Sequence, residues 1–306
     1  MNIVIGVDVG GSHITSAAID LNTLKIISNS TYTNKINNKA SKDNILKSWS
    51  SVINQTIKSI PEVDNIKIGF AMPGPFQYAT GLAMFENNDK YENLYNVSIP
   101  NELPKYLDCS NVELRFLNDA SSFGVGVSCM GKAKNYKKVI AITLGTGFGS
   151  SFISKGIPKV TSKDVPEGGC LWDKQFKEGM ADDYFSTRWF VKRYLEVSRD
   201  QVKGVKEVVQ TNNKHSKKVF EEFSNNFVDF MTPFIENYQP DLIVLGGNIS
   251  NASNFFLSDI EQKLKTNGLT PVFTVSTLME EAALIGSARL FSTSFWNNVK
   301  NDLPNF

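Results

Sequence analysis

Three glycine-rich turns follow apolar stretches of the sequence and could bind phosphate. They are Gly10-Gly11-Ser12, Gly145-Thr146-Gly147 and Gly246-Gly247. Glycine tolerates positive φ and a close approach of a ligand, so consecutive N–H groups can converge on a phosphate. A single turn of this kind is more often an ordinary hairpin turn. The sequence has no Gly-x-x-x-x-Gly-Lys-Ser/Thr motif and no Gly-x-Gly-x-x-Gly after its first apolar stretch, so the phosphate prediction rests on the set of three turns.

Two carboxylates stand at similar junctions and could complete a phosphoryl-transfer site. Asp8 is separated from the first glycine pair by one residue, and Asp119 follows Asn118 at the end of the predicted strand VELRFL. Asp8 could hold Mg²⁺ through water, since Mg²⁺ keeps most of its hydration shell, or it could cap the turn. Asp119 could accept the proton of a substrate hydroxyl that attacks a phosphate, or it could cap the helix that begins there. Residue type alone leaves both alternatives open.

Two predicted hairpins must position the first two turns. Residues 3–9 and 13–20 read as strands on either side of the first turn, and residues 139–144 and 149–154 repeat the pattern about 135 residues later. This repeat indicates a duplicated domain; two unrelated hairpins are the alternative.

The remaining periodicity predicts strands that alternate with helices, which is typical of the α/β class. The predicted strands cover 67–71, 112–117, 241–245 and 272–275, the predicted helices cover 43–60, a stretch from 120, 217–238 and 280–291, and a surface loop is expected at 211–217.

Composition excludes several classes of protein. A chain of 306 residues is expected to form about two domains. Lys and Arg total 32 against 31 Asp and Glu, a net charge of +1, which gives no reason to expect nucleic acid or an anionic membrane as a partner. We expect a cytoplasmic protein, because the sequence shows no signal-peptide pattern, no apolar span and only three well-separated cysteines.

Five segments resemble the ROK family of sugar kinases and repressors. They are IGVDVGGSHITSAAID, GFAMPGPF, LNDASSFGVG, LGTGFGSSFISKG and PDLIVLGGNIS, in the family's order and spacing, and the resemblance covers residues 3–291. It implies two duplicated actin-like ATPase (ribonuclease H-like) domains with a nucleotide and sugar cleft between them. The expected domains are 1–119, completed by a C-terminal helix at 292–306, and 120–291.

The resemblance also assigns roles to individual residues. It implies that Asp119 is the catalytic base and that Asp8 lies near Mg²⁺. The residues implied to bind the sugar are Asn118, Gly74, Glu167 and Asp182; those implied to bind the ATP phosphates are Gly10, Gly11, Ser12, Gly145, Thr146 and Gly147; and those implied to bind adenosine are Gly246 and Gly247.

The sequence departs from the family at two elements. Cys170 stands where the Glu-x-Gly-His element has its His, and Met180 and Asp182 stand where Gly-Cys-x-Glu has its Cys and Glu. None of the ligands of the family's structural zinc is present, so no zinc is expected, and packing of Trp172 and Phe176 could hold the loop instead. Glu167 and Asp182 could also be plain surface acids.

The resemblance implies a kinase that transfers the γ-phosphoryl group of Mg-ATP to a hexose or N-acetylhexosamine, at the 6-hydroxyl, and that forms a homodimer. A sugar-binding sensor without catalysis is the main alternative. A repressor would need a DNA-binding segment before the first motif, which begins at Ile5. The sequence leaves the identity of the sugar open.

Overall fold

The computed structural model describes residues 2–86 and 90–303. The strands are β1 (Ile3–Val9), β2 (His13–Asp20), β3 (Lys25–Ile26), β4 (Tyr32–Lys35), β5 (Ile66–Met72), β6 (Phe76–Gln77), β7 (Leu82–Ala83), β8 (Val112–Asn118), β9 (Lys138–Leu144), β10 (Phe148–Ser154), β11 (Ile157–Pro158), β12 (Gln175–Phe176), β13 (Gly179–Met180), β14 (Leu242–Gly246) and β15 (Phe273–Val275).

The α-helices are α1 (Lys42–Lys58), α2 (Ile99–Glu102), α3 (Asp119–Cys129), α4 (Ala181–Tyr184), α5 (Thr187–Ser198), α6 (Val205–Thr211), α7 (Lys214–Tyr238), α8 (Leu257–Thr266), α9 (Glu281–Ala288) and α10 (Thr293–Val299). Short 3₁₀ segments are found at Glu92–Leu94, Leu103–Tyr106, Glu167–Gly169, Asn248–Phe255 and Arg289–Phe291. Within the described part of the chain, no helix is both long and apolar enough for a bilayer crossing.

The chain forms two compact units. Unit 1 comprises the described residues within Met1–Lys134, Gly156–Pro158 and Glu280–Phe306, and unit 2 comprises Asn135–Lys155 and Lys159–Met279. These units differ from the predicted domains 1–119 and 120–291, because α3 and α9 pack within unit 1. The last predicted helix, 292–306, is observed as the shorter α10, and residues 304–306 lie outside the described residues.

The sheet of unit 1 has the order β3-β2-β1-β5-β8, with β4 paired to β2. Strand β1 is antiparallel to β2 and parallel to β5, and β5 is parallel to β8. The apolar face of α1 covers this sheet and contributes the fully buried Ile45, Leu46, Trp49 and Ile53. Since β1, β5 and β8 run in the same direction, their carboxyl ends meet at one edge.

Helices α3 and α9 are rich in small residues and approach each other and the sheet at backbone distance. A methyl group placed on Gly126 of α3 would lie 1.9 Å from the carbonyl oxygen of Ala282, and one on Gly286 of α9 would lie 1.9 Å from that of Ser122. Gly6 and Gly69 of the sheet meet the backbone of α9 in the same way, at 2.2 and 2.1 Å. Only glycine fits at such contacts, so these residues determine how closely α3, α9 and the sheet pack.

In unit 2, the strands lie in the order β10-β9-β14-β15. Strand β9 is antiparallel to β10 and parallel to β14, which is parallel to β15. This repeats the arrangement of β2, β1, β5 and β8, as expected for a duplicated α/β fold. The core is built from the phenylalanines of α7 and their neighbours, among them Phe185, Phe190, Phe220, Phe223 and Phe227.

Most predicted strands and helices are confirmed within one to three residues, and two predictions need correction. The predicted surface loop at 211–217 is wrong: α6 ends at Thr211, and α7 begins at Lys214. The Asn213 side chain caps α7 by accepting hydrogen bonds from the N–H groups of His215 and Ser216. The stretch 280–291 is helical only to Ala288 and ends in a 3₁₀ turn.

Candidate active site

The carboxyl ends of β1, β5 and β8 bring the candidate residues of unit 1 together. In the sheet register Asp8 is paired with Ala71, and Met72 is paired with Asn118. Asp8, the segment leading to Gly74 and the Asn118-Asp119 pair therefore follow one another along the same edge. In α/β sheets this edge is where ligands are bound.

Asn118, and not Asp119, caps helix α3. Its side-chain oxygen accepts a hydrogen bond from the N–H of Ser121 at 3.1 Å, while its amide nitrogen donates to Asp119 Oδ1 at 3.0 Å and to the Tyr78 hydroxyl oxygen at 3.2 Å. The Tyr78 hydroxyl in turn donates to the Met72 carbonyl at 3.0 Å. The capping alternative for Asp119 is therefore taken by its neighbour, which also orients the carboxylate.

Asp119 is the first residue of α3, and its carboxylate is desolvated. Burial raises the pKa of Asp119, and the effect is opposed by the N–H of Ala120, which donates to Oδ1 at 2.8 Å, by the positive charge of Lys90 and by Asn118. A carboxylate with a raised pKa at a strand end is a suitable proton acceptor.

Asp8 shares this environment. Burial, followed by the negative charges of Asp119 and Glu280, raises the pKa of Asp8 to about 7, and the nearby His13 opposes the shift. His13 Nε2 lies 3.3 Å from Glu280 Oε1, and this contact raises the pKa of His13 and lowers that of Glu280. The acidic surroundings would favour a cation beside Asp8.

The donors here suit a hydrated metal ion rather than a closed cage. Among residues 2–86 and 90–303, no group of three or more His, Cys, Asp or Glu side chains is arranged to hold a metal. A single carboxylate oxygen donor is compatible with Mg²⁺, which retains several waters and also binds substrate phosphates.

The first glycine turn is fixed through its carbonyl groups. The Tyr91 hydroxyl donates to the Gly10 carbonyl at 2.6 Å, and Asn38 Nδ2 donates to the Gly11 carbonyl at 2.5 Å. In a trans peptide the carbonyl and the following N–H point in opposite directions. Both bonds therefore turn the N–H groups of Gly11 and Ser12 away from Tyr91 and Asn38. Neither Gly10 nor Gly11 has the positive φ that the sequence allows at glycine.

The second glycine turn, in unit 2, is held by α4 and α5. The Gly145 carbonyl accepts hydrogen bonds from the N–H and from the hydroxyl of Thr187, both at 2.8 Å. Asp182 Oδ1 accepts from the N–H of Phe148 at 2.6 Å, and Oδ2 is bonded to Arg188, whose Nη1 donates to the Thr146 carbonyl at 3.0 Å.

Asp182 is therefore not a plain surface acid. Its side chain is 26% exposed and joins the second turn to Arg188. Glu167, the other predicted sugar ligand that could be a plain surface acid, is exposed in the 3₁₀ turn Glu167–Gly169.

The third glycine turn lies beside the second. Gly246 is paired with Thr143 in the register of β14 and β9. Gly247 has φ of +80°, and a methyl group on it would lie 2.4 Å from the Leu144 carbonyl oxygen. A side chain at Gly247 would displace the end of β9, where the second turn begins.

The loop that differs from the family is held by aromatic packing. Phe176 contacts Tyr184, Phe185 and Phe230, with ring centroids 5.1, 5.7 and 5.3 Å away. Trp172 remains 38% exposed and contributes its carbonyl, which accepts from the N–H of Asp182. Burial raises the pKa of the Cys170 thiol to about 12, so this side chain stays a neutral thiol.

Sequence reasoning missed the side chains that hold the turns. Lys90, Tyr91, Thr187 and Arg188 belong to no motif, and their positions depend on tertiary contacts. Helix α5, which carries Thr187 and Arg188, was not predicted from the sequence, and neither was α6.

Comparison with known proteins identifies one family. The ROK family model matches residues 4–294. N-acetyl-D-glucosamine kinase of Haemophilus influenzae is 26% identical over 80% of this chain and 84% of its own, and glucokinase of Thermotoga maritima is 21% identical over 94% and 96%. A ROK family glucokinase from Streptomyces griseus, solved with glucose and AMPPNP, matches with a TM-score of 0.70 at 19% identity, covering 94% of this chain and 98% of that one. This likeness confirms the predicted fold.

Proposed function

The chain belongs to the ROK family, as its five motifs predicted, and from this premise we propose that it is an ATP-dependent sugar kinase. The observation that supports the proposal most is the desolvated Asp119 at the carboxyl edge of its sheet, oriented by Asn118 and aligned with Asp8 and the first glycine turn. Asn118 already caps the helix, so the Asp119 carboxylate is not needed for capping.

The reaction is an in-line transfer in which Asp119 takes the proton of the sugar hydroxyl. As the sugar oxygen forms its bond to the γ-phosphorus, the bond to the bridging oxygen breaks and ADP leaves with the electron pair. Asn118 holds the Asp119 carboxylate and, with Gly74, contributes to sugar binding. The chemistry supplied by Mg²⁺ when bound is neutralisation of phosphate charge, and Asp8 would hold it through water.

The remaining predicted residues bind the two substrates. The first and second glycine turns bind the ATP phosphates through their N–H groups, and Gly246 and Gly247 lie against adenosine. Asp182 keeps the second turn in place through Phe148 and Arg188; together with Glu167 it is also assigned to the sugar. We propose the two units as the two domains of the duplication.

The acceptor class follows from the relatives. Proteins named N-acetyl-D-glucosamine kinase and glucokinase both resemble this chain, so we propose a hexose or N-acetylhexosamine that is phosphorylated at the 6-hydroxyl. A cytoplasmic homodimer without zinc completes the proposal.

Product analysis tests the proposed function. The protein is incubated with Mg-ATP and glucose, N-acetylglucosamine or N-acetylmannosamine, and products are identified by mass spectrometry. We expect a mass gain of one phosphoryl group on at least one sugar and none on its 6-deoxy analogue. Sugar binding without any phosphorylated product would support the non-catalytic sensor instead, and phosphorylation of the 6-deoxy analogue would move the acceptor to another hydroxyl.

A further inference from the structure

Lys90 lies beside the first glycine turn, although no motif contains it. A methyl group placed on Gly11 would lie 3.5 Å from Cε of Lys90, 3.6 Å from its Cδ and 4.0 Å from its Nζ. The end of the lysine side chain therefore lies along the Gly11 backbone, on the side where a side chain would project. These are ordinary van der Waals distances, so the lysine side chain packs against the turn without crowding it.

Tyr91 fixes the backbone that carries Lys90. Its buried ring packs against Trp49 and Phe85, with centroids 5.4 and 5.5 Å away, and its hydroxyl donates to the Gly10 carbonyl at 2.6 Å. Its own N–H donates to the Asn38 carbonyl at 3.1 Å. Because the residue next to Lys90 is bonded to the same turn, the base of the lysine side chain is held at a defined distance from that turn.

The charge of Lys90 also reaches Asp119. It acts against burial to lower the pKa of the Asp119 carboxyl. One ammonium group is thus close to the backbone of the first turn and within electrostatic range of the proposed base. His13, which follows the turn, lies 3.3 Å from Glu280.

We propose that Lys90 is a catalytic residue that binds the γ-phosphoryl oxygens of ATP while the group moves from ADP to the sugar oxygen. The inference rests on the proposed kinase function. Negative charge is spread over the phosphoryl oxygens during transfer, and a fixed cation stabilises it. The lysine takes no proton in this step: the sugar proton goes to Asp119, and the electron pair of the broken bond leaves with ADP.

Nucleotide affinity and turnover together test the role of Lys90. We compare Lys90→Met, Lys90→Arg and the control Lys25→Met, which removes the same charge from an exposed residue of β3. Calorimetry with Mg²⁺ and no sugar gives the affinities for AMPPNP and for ADP, and a coupled assay gives kcat and the sugar KM.

For Lys90→Met we expect kcat to fall by about two to three orders of magnitude, the usual loss for one group that stabilises transition-state charge. AMPPNP affinity should fall about tenfold, with ADP affinity and sugar KM nearly unchanged, because only AMPPNP has the third phosphate. Lys90→Arg should recover much of both losses, since it keeps the charge, and Lys25→Met should match the wild type.

An unchanged kcat and an unchanged ratio of AMPPNP to ADP affinity in Lys90→Met would overturn the proposal. Equal losses for both nucleotides, with a lowered melting temperature and no rescue by arginine, would also overturn it and indicate a structural lysine. If the wild type phosphorylates no sugar, the kinase proposal fails, yet the affinity ratio still decides whether Lys90 binds the terminal phosphate.

Discussion

Asp8 and Asp119 are placed in the same desolvated region, but their surroundings differ. Asp119 accepts hydrogen bonds from Asn118 and from the Ala120 N–H, whereas Asp8 lies near the negative charges of Asp119 and Glu280. The bonds to Asp119 favour its ionised form, which a base needs. Without a bound cation, the charges around Asp8 favour its neutral form.

The raised pKa of Asp8 predicts how the stability of the metal-free protein depends on pH. The folded protein keeps a proton on Asp8 up to a pKa of about 7, whereas its ordinary value is 3.8. Between these values the folded state binds more protons than the unfolded state, so the free energy of unfolding falls as pH rises.

Thermal unfolding from pH 5 to pH 8 measures this effect. Relative to Asp8→Asn, the wild type should lose a few degrees of melting temperature as pH rises, and Mg²⁺ with a nucleotide should reduce the loss. Parallel curves for the two proteins would show that Asp8 ionises normally. Asp20→Asn, a change at an aspartate on β2 outside the site, is the control.

At the scale of elements, α3 positions Asp119 and is itself positioned by α9. The contact depends on Gly126 and Gly286, where a methyl group would approach a carbonyl oxygen to 1.9 Å. Such a distance forces a backbone shift, so the helices cannot keep their spacing with larger residues. The position of the proposed base therefore depends on two residues that bear no functional group.

Gly126→Ala and Gly286→Ala should each reduce the free energy of unfolding by about 1–3 kcal/mol, the usual cost of overpacking, and should lower kcat by displacing Asp119. Chemical denaturation and steady-state kinetics measure the two effects. Gly204→Ala is the matched control, since its added methyl group would meet only Thr187 Cγ2 at an ordinary 3.9 Å. Wild-type stability in both α3–α9 variants would contradict the described packing.

The strands that carry the turns could be predicted because each is a continuous apolar stretch ended by glycine. Helices α5 and α6 could not be predicted as easily, because much of their surface is polar and each buries few side chains, such as Phe190 and Val208. Asn213 was predicted to lie in a loop because asparagine is common both in loops and at helix N-caps, and its type alone does not distinguish the two.

At the scale of the molecule, the family and the α/β fold could be predicted because five motifs occur in the order and spacing of the ROK family. It could not predict which charged side chains support those motifs. Lys90 lies against the first turn and Arg188 is bonded to the second, in both cases across a long separation in sequence. No sequence motif includes either residue. The unit boundary differed from the predicted one for the same reason, since the α3–α9 contact joins residues far apart in sequence.

We propose that Asp119 is the base of a sugar kinase. The most direct test measures ADP release, coupled to NADH oxidation, for wild type and Asp119→Asn across hexoses and N-acetylhexosamines with Mg-ATP. We expect sugar-dependent turnover in the wild type, and a kcat about two to four orders of magnitude lower in the variant, with sugar KM little changed. Full turnover by Asp119→Asn would contradict it.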